Sequence, residues 1–187
     1  MAPRHPRRWP DGFHVEQLRH AAGLLLVVPH AAGARIVLTE RAHTLGRHRG
    51  QISLPGGVIE PGETVEAAAL REAHEEIGIS ADQVHVIGPL TPVDIPVSGF
   101  RLHPVVATLH TKPAYRLATD EVARVLDVDI DELMRADRLV WRTLEREGER
   151  IAFPAFAVEG VDIWGATAMV ISELLALLGW TGPFPRE

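Results

Sequence analysis

Cysteine is absent from all 187 residues. Disulfides, thiolate catalysis, zinc knuckles and iron–sulfur clusters are thereby excluded. Lysine occurs once, at Lys112, and no Gly-Lys-Ser/Thr appears anywhere, so no P-loop can be built. No Gly-x-Ser-x-Gly is present to carry a serine nucleophile on a sharp turn. Positive charge is in deficit: 19 basic against 25 acidic residues give a net charge of −6. That balance excludes a protein that coats nucleic acid, which needs cations to neutralise phosphates. Long apolar runs are missing too. The run Ala21–Val28 has eight residues, far short of the roughly 20 that a membrane span needs. Arg4, Arg7 and Arg8 before it and Ala31, Ala32 and Ala34 after it give it the outline of an export signal. Asp11, Glu16 and Arg19 interrupt that outline, and a first β-strand is the better reading. The expectation is a soluble, cytoplasmic protein that uses neither membrane nor nucleic acid.

What is present is ordinary globular composition, 46% apolar and 24% charged. A chain of this size buries roughly 70% of its unfolded surface, enough for a core without staples. Residues 1–12, rich in Pro and Arg, read as a flexible N-terminal arm, and 13–187 as a single domain. Phe13–His20 predicts a short helix. Strands are expected at Leu24–Val28, Arg35–Thr39, Gln51–Leu54, Val84–Ile87, Leu102–Leu109, Glu121–Val128, near Leu139–Thr143 and at Ile151–Val158, with Pro92–Gly99 as a loop. Helices are expected at Glu63–Ile77, ended by Gly78, near Asp131–Arg135, and at Gly165–Leu178, the last one amphipathic. The irregular alternation indicates an α/β (α+β) fold, a mixed sheet with helices packed on it. Asp127, Asp129 and Asp131 have the spacing of a calcium loop, but Glu132 and Arg138 stand where its Gly and Glu belong, which leaves helix capping. His103 and His110 read as lone structural histidines. Trp164, Met169, Leu174 and Leu178 read as core.

One helix carries chemistry. At about 100° per residue, Glu72, Glu75 and Glu76 share an arc of about 100°, while Leu70, Ala73 and Ile77 centre on another face. Three like charges on adjacent turns repel, each pair costing a few tenths of a kcal/mol. A hard divalent cation removes that penalty, because Mg²⁺ or Mn²⁺ takes carboxylate oxygens and substrate phosphates together. The plain alternative is a solvated acidic face.

The surrounding residues weigh against that alternative. The stretch Gly57-Val-Ile-Glu-Pro-Gly-Glu63-Thr-Val-Glu-Ala-Ala-Ala-Leu-Arg71-Glu72-Ala-His-Glu75-Glu76-Ile-Gly78-Ile79 resembles the Nudix box at every fixed position. The resemblance implies a Nudix hydrolase: a mixed sheet sandwiched between helices, hydrolysing a nucleoside diphosphate linked to another group. It implies that Glu72, Glu75 and Glu76 bind Mg²⁺ or Mn²⁺, with Glu63 nearby and Arg71 holding the carboxylates. Gly56 and Gly57 would let the chain turn beside the phosphates. Glu121, at the head of a predicted strand, is the candidate for a further ligand or base, against an exposed strand-end acid. Metal ligands must be deprotonated, so activity should rise toward alkaline pH.

Upstream, Val37-Leu38-Thr39-Glu40-Arg41-Ala42 and Gly50-Gln51-Ile52-Ser53-Leu54-Pro55-Gly56-Gly57 resemble the motif of coenzyme A diphosphatases within that family. Two positions depart: Gly46 stands in place of an Arg, with Arg47 one residue along, and Leu54 in place of a Phe. Pro96–Phe100, His103–Val106 and Ile163–Ala168 are similar to the same subfamily. The implied substrate is coenzyme A, with ADP-ribose, dinucleotides or nucleoside triphosphates as the alternative and a non-catalytic ligand sensor as a distant third. Arg41, Arg47 and Arg49, with His43 and His48, form a cationic segment in an acidic protein, suited to several phosphates. The resemblance also brings the homodimer that many relatives form, while the sequence itself gives no oligomeric state.

Overall fold

The computed structural model describes residues 15–31, 33–42, 50–146 and 149–182, so the expected arm at 1–12 lies outside the described residues. Strand β1 (Arg19–His30) and β2 (Gly33–Arg41) form an antiparallel hairpin with Leu26 opposite Val37. Leu24, Leu25 and Leu26 have no exposed surface. A run apolar on both faces is what a strand in the middle of a sandwich requires. After β3 (Ile52–Ser53) and β4 (Gly56–Val58) come helix α1 (Val65–Ile77), β5 (His85–Pro89), β6 (Val93–Ile95), β7 (Phe100–Thr108) and β8 (Val122–Asp129). These eight strands make one mixed sheet in the order β3-β2-β1-β7-β5. In it β4 pairs with β1, β6 with β7 and β8 with β2, and only the β1–β7 pairing is parallel. Helix α2 (Ile130–Met134) leads to β9 (Leu139–Arg146), β10 (Glu149–Val158) and β11 (Val161–Trp164), a separate antiparallel sheet, and α3 (Gly165–Leu177) follows.

Two apolar clusters lie on the two faces of the large sheet. Ala22, Leu24, Leu26, Val37, Val105 and Ala107 meet Ala68, Ala69, Ala73 and Ile77 of α1. On the other face Leu25, Ile36, Leu38 and Leu126 meet Leu133, Phe156, Ile163, Ile171 and Leu175 from α2, the small sheet and α3. The expected sheet between helices is therefore present, with a three-stranded sheet added to one outer layer.

Several local expectations are corrected. Of the expected helix Phe13–His20, residues 13 and 14 lie outside the described residues; a short 3₁₀ turn covers Val15–Gln17, and Arg19 and His20 already pair with Phe100 and Arg101. The Pro92–Gly99 loop contains β6, and β11 was not anticipated; strands of three or four residues give too little alternation to read. Helix α3 is only weakly amphipathic, its buried face being wider than half the helix. Residues 167, 168, 170, 171, 172, 174 and 175 are buried over about 200° of its circumference, against both sheets and α2, and residues 165, 166, 169 and 173 on the other side are half-buried. Trp164 and Leu178 are exposed rather than core, while Leu174 is buried as expected. Asp129 does cap a helix, its side chain accepting from the Asp131 N–H. His103 is not alone: its Nε2 lies 2.8 Å from Nδ1 of His20, with the rings stacked. That pair depends on the parallel β1–β7 register, which no local pattern reports.

No helix among the described residues is long and apolar enough to cross a membrane.

Candidate active site

The site is built where β4 turns into α1. Gly56 and Gly57 lie opposite Gly23 and Ala22 on β1. A Cβ on Gly56 would sit 2.3 Å from the Ala22 carbonyl oxygen, and one on Gly57 would sit 2.3–2.6 Å from the three terminal atoms of the Glu72 carboxylate. Glycine is required at both places by close approach, once to backbone and once to a side chain. Thr64 caps α1, its Oγ1 accepting from the Ala67 N–H at 3.1 Å. The helix ends at Gly78, whose φ of 73° and N–H to the His74 carbonyl make a left-handed C-cap.

Arg71 organises the acidic face. Its Nε and Nη2 donate to the Glu63 carboxylate at 3.0 and 3.1 Å, and its Nη1 to Glu72 at 2.9 Å and Glu75 at 3.0 Å. Nη2 also donates to the Val58 carbonyl at 3.0 Å, which ties helix to loop. One planar guanidinium thus spaces three carboxylates, the use to which its fixed fork is suited. These contacts lower Glu63 below the usual carboxylate range and raise Arg71 further above its own.

Glu76 behaves differently. Its side chain is buried, 7% exposed, and Oε2 accepts from the Gly56 N–H at 3.1 Å. It is the only charged residue in the buried set of the described residues. A buried carboxylate without a salt-bridge partner costs several kcal/mol unless a cation or proton neutralises it. Burial, followed by the charges of Glu72 and Glu121, pushes Glu76 up to about 7 despite the Gly56 bond and the Arg41 charge. Burial likewise raises Glu72, outweighing its bond to Arg71. A solvated acidic face therefore describes Glu75, which is exposed, but neither Glu72 nor Glu76.

The structure brings Glu121 and Arg41 to the same place. Glu121 sits in the turn just before β8, and its charge acts on both Glu72 and Glu76. The Ala42 N–H donates to the Glu121 carbonyl at 2.8 Å. Arg41 exchanges backbone hydrogen bonds with Gln51 and Gly50 at 3.1 Å, closing the base of the basic segment. Arg47 and Arg49 lie outside the described residues.

Among the described residues no three acidic or histidine side chains converge at metal-ligating spacing, because Glu72 and Glu75 are both turned to Arg71. The donor set nevertheless suits a hard divalent cation. Glu72 and Glu76 are hard oxygen donors one turn apart, Glu121 adds charge of the same sign, and the bare Cα of Gly57 lets the Glu72 carboxylate lie directly against the backbone. Glu72 and Glu76 would hold the ion, with Glu75 and Glu121 at its rim.

A pH dependence follows from Glu76. A cation and a proton compete for this carboxylate, so cation affinity should climb as pH rises from about 4.5 toward about 7 and then level off. In the protein alone the sign is opposite. A carboxyl raised on folding favours the fold fully below about 4.5, and that contribution is lost as pH passes about 7. Melting temperature with and without Mg²⁺, measured from pH 5 to 9, checks both; a cation-induced rise that is largest at pH 5 would contradict them.

Comparison with known proteins agrees with this geometry. The NUDIX domain family profile matches residues 18–155. The chain is 36% identical over 162 residues to a protein of Citrobacter koseri named as an uncharacterized Nudix hydrolase, NudL, covering 86% of this chain and 84% of that one. It is 35% identical over 166 residues to the NudL of Escherichia coli O6:H1, covering 88% and 86%. Among solved structures it resembles a Nudix hydrolase from M. smegmatis, RenU, with a TM-score of 0.62 at 24% identity over 90% of both chains. It also resembles the NUDIX domain of Shewanella oneidensis NrtR in complex with ADP ribose, with a TM-score of 0.57 at 15% identity over 92% and 94%. These last two likenesses show the fold.

Proposed function

Because this chain belongs to the Nudix hydrolase family, and so hydrolyses a phosphoanhydride in a nucleoside diphosphate derivative, we propose that its substrate is coenzyme A, cut at the diphosphate to 4′-phosphopantetheine and adenosine 3′,5′-bisphosphate. The observation that carries the diphosphatase reading is buried Glu76, held by the Gly56 N–H among the like charges of Glu72 and Glu121. Nudix hydrolases generally need divalent metal ions, and here Mg²⁺ or Mn²⁺ is the expected one. The bound ion would neutralise the diphosphate oxygens and lower the pKa of an attacking water. The chain's own groups do the rest. In this reading the bare Cα of Gly57 seats the Glu72 carboxylate, Arg71 fixes the carboxylate spacing, and exposed Glu121 is the group that would accept a proton from water.

The coenzyme A reading rests on the two motif stretches that flank the basic segment, Leu38–Ala42 and Gly50–Gly57. Of the two departures, Leu54 is a packing exchange: it is buried in the core, its Cδ1 against Gly23 beside Leu102. As a buried core side chain, it carries no argument for another substrate. Coenzyme A differs from 3′-dephospho-coenzyme A by one phosphate, which a cation outside the carboxylate cluster must recognise. Arg47→Ala should therefore raise KM for coenzyme A much more than for the dephospho form, by roughly 1.5–3 kcal/mol for a lost charge-assisted bond. Measuring kcat/KM for coenzyme A, dephospho-coenzyme A and ADP-ribose tests the substrate. Faster cleavage of ADP-ribose than of coenzyme A would favour the second reading, a diphosphatase for ADP-ribose or related nucleotides, the ligand held by the NrtR structure.

A further inference from the structure

Residues 110–121 run from β7 to β8 across the C-terminal end of α1. The Arg116 N–H donates to the Ile77 carbonyl at 2.9 Å and the Ala118 N–H to the Glu76 carbonyl at 3.0 Å. This strap thus caps two of the carbonyls that a helix end leaves open. Tyr115 and Leu117 pack into the α1-side cluster. Tyr115 Oη donates to Asp127 at 2.5 Å, and Lys112 meets the same carboxylate at 2.8 Å, fastening the strap to β8. At its far end the N–H groups of Glu121 and Val122 both donate to the Ala118 carbonyl. Glu121 is therefore tied through Ala118 to the backbone of Glu76.

Gly78 lies where helix and strap meet. Its φ of 73° is one reason for glycine, and Asn tolerates that conformation as well. A second reason is contact: a Cβ on residue 78 would lie 2.8 Å from Arg116 Cβ, 3.1 Å from Arg116 O and 3.2 Å from Arg116 N. None of these atoms is the free end of a side chain, so any side chain there must lift the strap itself. We propose that Gly78 is a positioning residue for Glu121: its bare Cα is the slot into which the strap closes, and that closure sets Glu121 beside Glu72 and Glu76. The proposal rests on the reading of Glu121 as a working group of the diphosphatase.

Gly78→Asn separates the two reasons. If glycine serves only the helix cap, Asn keeps kcat within about threefold of wild type. If the slot matters, kcat falls about 30-fold or more with KM little changed, since a displaced group costs turnover. Arg116→Gly removes the closest contact and by itself should leave kcat nearly unchanged. Combined with Gly78→Asn it should return most but not all of the lost kcat, since the contacts to Arg116 O and N remain. Gly78→Asn should cost little more once Glu121→Gln is present, a coupling expected only of residues acting through one another. Ala118→Pro, which deletes the N–H given to Glu76, should reproduce the loss without touching Gly78 and serves if Gly78→Asn does not fold. Amide exchange at Ala118 gives a readout independent of turnover: faster in Gly78→Asn, slowed again in the double variant. Wild-type kcat in Gly78→Asn, or full additivity with Glu121→Gln, or unchanged Ala118 exchange, would overturn the proposal. An inactive wild type would instead overturn the diphosphatase reading while exchange still tests the strap.

Discussion

Glu76→Gln is expected to lower kcat about 10³-fold, the scale seen when one charge-stabilising group is removed from a preorganised site. The folded protein should survive, and at pH 8 without cation it should melt higher than wild type. Both results come from the same burial. Glu76 is enclosed beside Gly56, near Glu72 and Glu121, so its charge is tolerated only with something to neutralise it. Glutamine keeps the shape and can still accept from the Gly56 N–H, but presents no charge to a cation. Removing the strained charge stabilises the empty fold and empties the site of function, a trade common at working sites. Glu72→Gln should lose activity similarly, whereas exposed Glu75→Gln should lose less. Steady-state kinetics beside thermal melts decide this; near-wild-type turnover in folded Glu76→Gln would remove the carboxylate site from the account.

Gly57→Ala should lower kcat about 100-fold or more with a modest change in stability, because a group displaced by about 1 Å costs that much. Its added Cβ meets the free end of the Glu72 side chain, which can swing away at the expense of its place beside Arg71. Gly56→Ala makes the informative contrast. There the added Cβ meets the Ala22 carbonyl oxygen at 2.3 Å and Gly23 Cα at 2.7 Å, so the β1–β4 pairing must open. Gly56→Ala should lose stability, and Gly57→Ala should lose activity from a protein that still melts cooperatively. The reverse pattern would mean that Gly57 is a folding residue and that Glu72 is not held against the loop.

Much of this arrangement is legible in the chain alone, and the limits are physical. Thirteen residues of α1 with Thr64 before and Gly78 after are local signals, so the helix and its end were readable within two residues. The 3.6-residue period placed Glu72, Glu75 and Glu76 on one arc. It could not say which of them turns toward β4, since that depends on how α1 docks through Ala68, Ala69, Ala73 and Ile77. Burial of Glu76 is thus a tertiary fact. The approach of Glu121 is another: it needs the strap across α1, held by backbone hydrogen bonds to Glu76 and Ile77 and by side-chain contacts to Asp127 that no local pattern reports. The His20–His103 contact and β6 depend on the neighbouring strand in the same way. Apolar runs such as Leu24–Val28 announced strands, but their continuous burial hid where each begins and ends.

The central claim is that this chain directs water onto a phosphorus of a diphosphate, in dependence on a divalent cation. Incubation with coenzyme A in ¹⁸O-labelled water, with Mg²⁺, with Mn²⁺ and with a chelator, followed by mass analysis of products, tests it most directly. The expected result is 4′-phosphopantetheine and adenosine 3′,5′-bisphosphate in equal amounts, one of them carrying a single ¹⁸O on its phosphate, and no product with the chelator. Undiminished product in the presence of chelator, or products without ¹⁸O on either phosphate, would contradict it.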